Sequence, residues 1–407
     1  MGIHLLPSSF TTTTLLLRTT LTKPNSAFHM ASTSQNGLSD QKQKQGLSFT
    51  DYLRGLSILI YESFFEKITS RHLKNPLPLP PLSDLTIILT GPTSGIGLEI
   101  ARNLTFSGAH LVMAARNTKA AHDLINQWNH ERSSEDDDEA KLLDIEVMKL
   151  DLLSLQSVVK FAQEWNSRSR PVNVLINNAG IYSMKPQSFS EDKFETHLQV
   201  NHLAPALLSI LLLPSLKKGS PSRIVNNSST GHFLGFVDVD DMNFTSRRRK
   251  FSGFKGYTSS KLAQVMFSSI LQKMLPGESG ISVVCASPGS VRYTNVARDL
   301  PEMLQRVLQP LSFFLYTPKE GCRSVLYAAT YPQVQDYTKS LKAQNSLVCA
   351  YINHDCSFGC VSKEAQNLEV SMKVWEKTLY MIGLPSDAVD KLLSGDTVEV
   401  SKKYKNE

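Results

Sequence analysis

From Asp84 onward, short unbroken apolar runs alternate with longer amphipathic ones. "LTIILTG" predicts a buried strand, Ser94 to Ser107 a helix, "AHLVMAAR" a second strand and Thr118 to His130 a second helix. "LDIEVMKLD", "VNVLINNAG", "SRIVNNSS" and "GISVVCASPG" continue as strands, each separated by an amphipathic helix. Apolar strands joined by helices call for a parallel sheet covered on both faces. The expected fold class is therefore α/β, a doubly wound (Rossmann) parallel sheet. Its single domain is expected at residues 84–384, with an N-terminal extension and a C-terminal helical tail at 385–407.

Ahead of that domain the pattern changes. Residues 48–68, "SFTDYLRGLSILIYESFFEKI", are apolar but carry Asp51, Arg54, Glu62, Glu66 and Lys67, which leaves too short a run to span a bilayer. Two readings stand: a helix packed on the domain, or a peripheral anchor in a membrane interface. "NPLPLPPLSD" then reads as a stiff extended linker, because prolines at this density exclude helix and central strand. The first 39 residues hold no Asp or Glu, are dense in Ser and Thr, and carry Arg18 and Lys23. That composition suits an organellar transit peptide, and equally an inert extension upstream of a start at Met30. A plastid or another organelle follows from the first reading, a cytoplasmic or membrane-peripheral location from the second.

Composition narrows the class further. A chain of 407 residues, 41% hydrophobic, can bury a large core. A formal charge of +6 with no aromatic-interleaved basic strip argues against a nucleic-acid partner. The acidic "SSEDDDEAK" (Ser133 to Lys141) reads as a solvated loop, and the basic run "RRRK" (Arg247 to Lys250) as a solvated loop or, alternatively, a membrane-surface contact. Five cysteines without paired spacing indicate neither a disulfide framework nor a metal site.

The candidate chemistry starts at "TGPTSGIG", a strand-to-helix junction. Gly91, Thr93, Ser94, Gly95, Ile96 and Gly97 there bring backbone N–H groups and a helix N-terminus to a pyrophosphate. After the second strand stands Arg116, where an NAD-preferring site would offer a carboxylate; an arginine suits a 2′-phosphate, so the expected cofactor is NADP(H). Asp151, followed by Leu152, ends the third strand, where it either meets the adenine amino group or caps the next helix.

These motifs, with "NNAG" (Asn177 to Gly180), Asn201, Ser228 and Ser229, "YTSSK" (Tyr257 to Lys261) and "SPG" (Ser287 to Gly289), resemble the short-chain dehydrogenase/reductase family in the same order. "VNHLAPALL", "YTSSKLAQVMF" and "DCSFGCVSKEA" are similar to its retinol-dehydrogenase-like branch. The resemblance implies hydride transfer between NADP(H) and a carbonyl or alcohol substrate, small and lipophilic. Tyr257 would be the general acid/base, with the Lys261 ammonium one helical turn away lowering its phenol pKa and holding the nicotinamide ribose. Ser229 would hydrogen-bond the substrate oxygen, and Asn201 would fix a water that relays protons to Lys261. Asn178 would tie strands together near the cofactor, Gly180 would leave room for it, and Pro288 and Gly289 would shape the turn facing the nicotinamide. The sequence departs from the family pattern at Tyr293, which displaces Thr294, the expected carboxamide contact, by one position. That shift supports a rival reading: a nucleotide-binding scaffold or regulatory protein of the same fold with little turnover.

Overall fold

A computed structural model describes residues 70–133, 142–246, 251–292 and 315–401, together with Phe65 and Ile68. The first 47 residues, nearly all of the 48–68 segment, the "RRRK" run, most of the acidic loop and Thr294 lie outside the described residues.

Seven parallel strands form one sheet in the order β3-β2-β1-β4-β5-β6-β7. They are β1 (Thr86–Thr90), β2 (His110–Ala115), β3 (Ile145–Lys149), β4 (Val174–Asn177), β5 (Ser222–Asn227), β6 (Ile281–Ala286) and β7 (Ala350–Ile352). The helices are α1 (Gly95–Phe106), α2 (Thr118–Ser133), α3 (Leu155–Ser167), α4 (Ala204–Leu211), α5 (Leu213–Lys218), α6 (Gly253–Met274), α7 (Pro318–Thr330), α8 (Pro332–Ala343), α9 (Leu368–Ile382) and α10 (Ala388–Ser394). The strand order reverses between β1 and β4, so the crevice above their C-terminal ends is where such sheets take ligands.

The side chains explain why the sheet is covered twice. Along β1, Ile87 and Leu89 enter one core with Ile100 and Leu104 of α1, Trp128 of α2 and Val325 of α7, while Ile88 faces the other. That second core holds Phe161 and Trp165 of α3, Leu207 of α4, Phe267 of α6 and Trp375 of α9. Alternate residues of a strand point to opposite faces, so an unbroken apolar run is what a two-sided burial needs.

Two sequence expectations need correction. The proline-rich stretch is irregular in backbone but is no free spacer. Leu77 and Leu82 are buried in the core with α1 and α7, the Leu82 amide donates to the Ser107 carbonyl at 3.0 Å, and the Tyr331 hydroxyl bonds the Pro78 carbonyl. Ser70 accepts from the Tyr316 hydroxyl at 2.5 Å, so the folded unit starts at least fourteen residues ahead of the expected boundary. Likewise the C-terminal stretch from 385 is not an appendage: Ala388, Val389, Leu392 and Leu393 of α10 lie in the main core, and the Lys217 ammonium donates to the Leu393 carbonyl at 2.7 Å.

Candidate active site

The glycine-rich turn after β1 is set by contacts only glycine permits. Gly91 has φ +66°, and a Cβ on it would lie 2.9 Å from the Ala179 Cβ. A Cβ on Gly97 would lie 2.0 Å from the Gly91 carbonyl oxygen. Gly95, at φ +56°, instead faces open space with no atom within 4 Å of an added Cβ. Ser94 is extended at the N-cap of α1, and its hydroxyl makes no capping bond, so the amides of the first turn stay open. Thr93 and Ile96 flank this opening, half-buried.

Asn178 braces the turn from the next strand. Its amide nitrogen donates to the carbonyls of Thr90 (3.0 Å) and Gly91 (3.3 Å), and its oxygen accepts from Asn227 at 3.0 Å. Three strand ends are thus tied together. Arg116 is exposed just beyond β2, and the Lys149 ammonium donates to its carbonyl at 2.5 Å, placing a second cation beside it that sequence reasoning missed. Asp151 does not cap α3; Ser154 does, accepting from the Ser157 amide. The Asp151 carboxylate instead accepts from the Leu153 amide at 3.0 Å in a local turn, with Leu152 buried between them. A three-residue offset decides this, since a cap oxygen must reach the amide two or three residues on.

At the centre, Tyr257 and Lys261 sit on one face of α6, which Ser252 caps at the Lys255 amide. The Tyr257 phenol is hydrogen-bonded to the Ser229 hydroxyl and packs edge-on against Tyr182, with ring centroids 5.0 Å apart. The Lys261 ammonium is buried, lies 6.0 Å from the Tyr257 ring centroid, and donates to the Asn227 carbonyl at 2.7 Å. Burial lowers the Lys261 pKa to about 8, against a smaller opposing effect from Cys285. For Tyr257 the expectation fails in this arrangement: burial raises the phenol pKa above its ordinary value, the Ser229 bond lowers it in part, and Tyr182 raises it further. The Lys261 ammonium is engaged with the Asn227 carbonyl, and the cost of taking a phenolate out of water dominates.

Asn201 lies in a five-residue π-helical stretch, Gln199–Leu203, an insertion that turns successive side chains out of α-helical register. Its side-chain oxygen accepts from the Ile181 amide (2.8 Å), and its nitrogen donates to the Ile181 carbonyl (2.9 Å) and the Ser260 hydroxyl (3.0 Å). Its own carbonyl accepts from Gln264 at 3.1 Å. The side chain is therefore a clamp on the segment after "NNAG", and the expected water-fixing role falls at most to the carbonyl. Gly180 is open for this clamp, since a Cβ there would lie 3.2 Å from the Asn201 side-chain oxygen and 3.7 Å from the Lys261 nitrogen. Gly289 takes φ +75° after Pro288, turning the chain at the end of β6.

Sequence reasoning also missed a buried pair beneath the site. Glu195 and His197 are linked at 2.7 Å, and the far nitrogen of His197 accepts from the Ser183 amide at 2.9 Å, holding the Tyr182 segment. The signal was present as two polar residues in a buried helix start, which the apolar pattern does not reward.

The short chain dehydrogenase profile matches residues 85–240. The chain is 54% identical over 368 residues to the dehydrogenase/reductase SDR family member FEY of Arabidopsis thaliana, covering 90% of this chain and 96% of that protein. It is 32% identical to retinol dehydrogenase 11 of Mus musculus (74% and 87% covered) and 33% to the chloroplastic short-chain dehydrogenase TIC 32 A of Brassica napus (73% and 88%). A crystal structure of an uncharacterized protein from Mycobacterium paratuberculosis superposes with a TM-score of 0.56 at 28% identity, over 74% of this chain and 95% of that one. Likeness sustained over nine-tenths of the sequence, on a sheet of this topology, means that the chain belongs to the short-chain dehydrogenase/reductase family and is a hydride-transfer oxidoreductase.

Proposed function

We propose that the protein is an NADP(H)-dependent oxidoreductase of a small lipophilic carbonyl or alcohol, with Tyr257 as its acid/base. The observation that carries this is the convergence of the Tyr257 phenol, the Ser229 hydroxyl and the Lys261 ammonium at the C-terminal ends of β4 and β5. The nicotinamide cofactor, when bound, supplies the hydride. The residues fit such a group: Gly95 opens onto free space at the α1 N-terminus, and Ser228 Oγ and Asn227 Oδ1 are buried without a hydrogen-bond partner beside Lys261. Orphaned polar atoms in a buried site are costly unless a ligand completes them. Gly91, Thr93, Ser94, Gly95, Ile96 and Gly97 would hold the pyrophosphate, and Asp151 and Leu152 would border the adenine. Asn178, Gly180, Pro288 and Gly289 would surround the nicotinamide end.

Tyr257 donates its proton to the carbonyl oxygen in reduction and accepts one in oxidation. Burial holds the phenol above its ordinary pKa, so the proton to be donated is in place at neutral pH. Ser229 orients the substrate oxygen, Lys261 holds positive charge under the site, and Asn201 fixes the wall formed by Ile181. Screening lipophilic aldehydes and ketones for NADPH oxidation tests the whole reading; no turnover across such a panel would return the protein to the scaffold alternative.

NADPH preference rests on Arg116, with Lys149 beside it. Arg116→Ala is expected to shrink the NADPH-over-NADH ratio in kcat/KM by about tenfold or more, since a charge-assisted hydrogen bond is worth roughly 1.5–3 kcal/mol. A native protein that favours NADH would remove the basis for this assignment. A plastid location fits the acid-free, Ser/Thr-rich first 39 residues, and import of a fluorescent fusion into isolated chloroplasts tests it.

The pH profile follows from Lys261. Its folded pKa of about 8 lies below the ordinary 10.5, so the ammonium is present below about pH 8 and lost above it. Reduction should therefore be level at neutral pH and fall on the alkaline side with an apparent pKa near 8. A kcat/KM profile that stays flat to pH 9.5 would contradict the role of its charge.

A further inference from the structure

His232 follows Ser229 by three residues in a short 3-10 turn and is fully buried. Its Nδ1 lies 2.7 Å from the Ser229 carbonyl oxygen, and a carbonyl only accepts, so Nδ1 carries the proton. Its Nε2 lies 3.2 Å from the Ser362 amide nitrogen, which only donates, so Nε2 is bare. Each partner demands the same single tautomer. The Tyr351 hydroxyl of β7 stands 3.4 Å from Nδ1, and the Phe233 and Tyr351 rings close over the imidazole at centroid distances of 4.2 and 5.1 Å.

The turn itself does not need this side chain. The His232 amide already donates to the Ser229 carbonyl at 3.1 Å, and the Ser229 hydroxyl accepts from the Gly231 amide at 3.0 Å. What the imidazole adds is a rigid link from the Ser229 backbone to a segment 130 residues further along the chain. Ser229 stands at a strand end in extended geometry (φ −164°, ψ 148°), and its hydroxyl must hold both the Tyr257 phenol and a substrate oxygen. A small rotation of its peptide would swing that hydroxyl out of line.

We propose that His232 is a positioning residue for the reaction: as a fixed Nδ1–H tautomer it locks the Ser229 peptide, and through Ser362 it makes the alignment of the Ser229 hydroxyl depend on the C-terminal segment. This rests on the functional reading above. The imidazole takes no part in proton transfer, since both nitrogens face protein groups and burial lowers its pKa to about 4. It stays neutral throughout the range in which Tyr257 and Lys261 work.

The test uses the full chain with NADPH and decanal, or whichever aldehyde of a straight-chain and retinoid panel the native protein reduces fastest. Asn places an amide N–H where Nδ1–H was, whereas Gln can place its amide oxygen where Nε2 accepted from Ser362 and leaves the Ser229 carbonyl unserved. His232→Leu and His232→Gln are expected to lower kcat by about tenfold to a hundredfold with KM and NADPH affinity within threefold, because misplacing a reacting group by about 1 Å costs on that order. His232→Asn, which restores the donor to the Ser229 carbonyl but not the acceptor for Ser362, should recover activity to within about fivefold of native, the remaining loss measuring the Ser362 link. A two-bond proton–nitrogen correlation spectrum should show the Nδ1–H tautomer, unchanged between pH 5 and 8. If the Leu variant does not fold, the ranking of Asn above Gln decides. Asn and Gln equal in kcat, or His232→Leu within twofold of native while Tyr257→Phe is inactive, overturns the proposal alone. An active Tyr257→Phe would instead overturn the functional reading beneath it.

Discussion

Replacing Tyr257 by Phe is expected to lower carbonyl reduction by about 10²–10⁴-fold while NADPH affinity stays within a few-fold. The phenylalanine ring keeps the edge-on contact with Tyr182, and Lys261 keeps its bond to the Asn227 carbonyl, so the site should hold its shape. What is lost is the one transferable proton. Ser229 cannot stand in for it, because an alkyl hydroxyl is a far weaker acid than a phenol, even one raised by burial. Steady-state rates and a fluorescence titration of NADPH check the two halves separately. Activity near native with intact binding would move the acid/base elsewhere; loss of both would mean that the hydroxyl also holds the cofactor site in shape.

The second large effect concerns the N-terminal boundary. A chain beginning at Leu85 should melt roughly 5–15 °C lower than one beginning at residue 69, or aggregate. Leu77 and Leu82 are 7% and 1% exposed, and each contributes about 1.5–3 kcal/mol by burial. Removing them also uncovers the apolar faces of α1 and α7, and leaves the Tyr331 and Tyr316 hydroxyls without Pro78 and Ser70. Thermal melts of the two chains decide this, and equal stability would show that the stretch is a spacer after all. Flotation with liposomes, comparing the full chain with the chain from residue 69, asks the separate question of membrane attachment through 48–68. Among the described residues no helix is long and apolar enough to cross a membrane.

Strands β1 to β6 were legible because each is an apolar run flanked by a turn, and two-sided burial leaves that mark on sequence. β7 was not: three residues at the sheet edge are too few for any period. The proline-rich stretch hid its packing for a related reason. Prolines state what backbone is excluded, but only the fold reveals that Leu77 and Leu82 meet α1. At the site, Tyr257, Lys261, Ser229 and Asn201 announced themselves by motif; the first three lie together, while the Asn201 side chain clamps Ile181 and Ser260. Lys149 beside Arg116 and the His232–Ser362 link did not, since each joins groups distant in sequence, and the Glu195–His197 pair did not because its burial comes only from the fold. The pKa of Tyr257 was misjudged because spacing along a helix gives proximity, whereas burial and the competing bond of Lys261 to Asn227 depend on tertiary structure.

The helix that carries Tyr257 and Lys261 is buried along most of its length, and α9 packs on it, stacking Trp375 on Phe267 at 4.8 Å. A nascent chain therefore emerges from the ribosome with its acid/base residues already synthesised on a helix that has apolar flanks and nothing yet to cover them. At about 5–20 residues per second, α9 follows Lys261 by roughly ten seconds, long enough for a chaperone to engage the exposed face. Stalling translation before Leu368 should thus give a chaperone-bound, inactive intermediate, and release to full length should bring activity and protease resistance together.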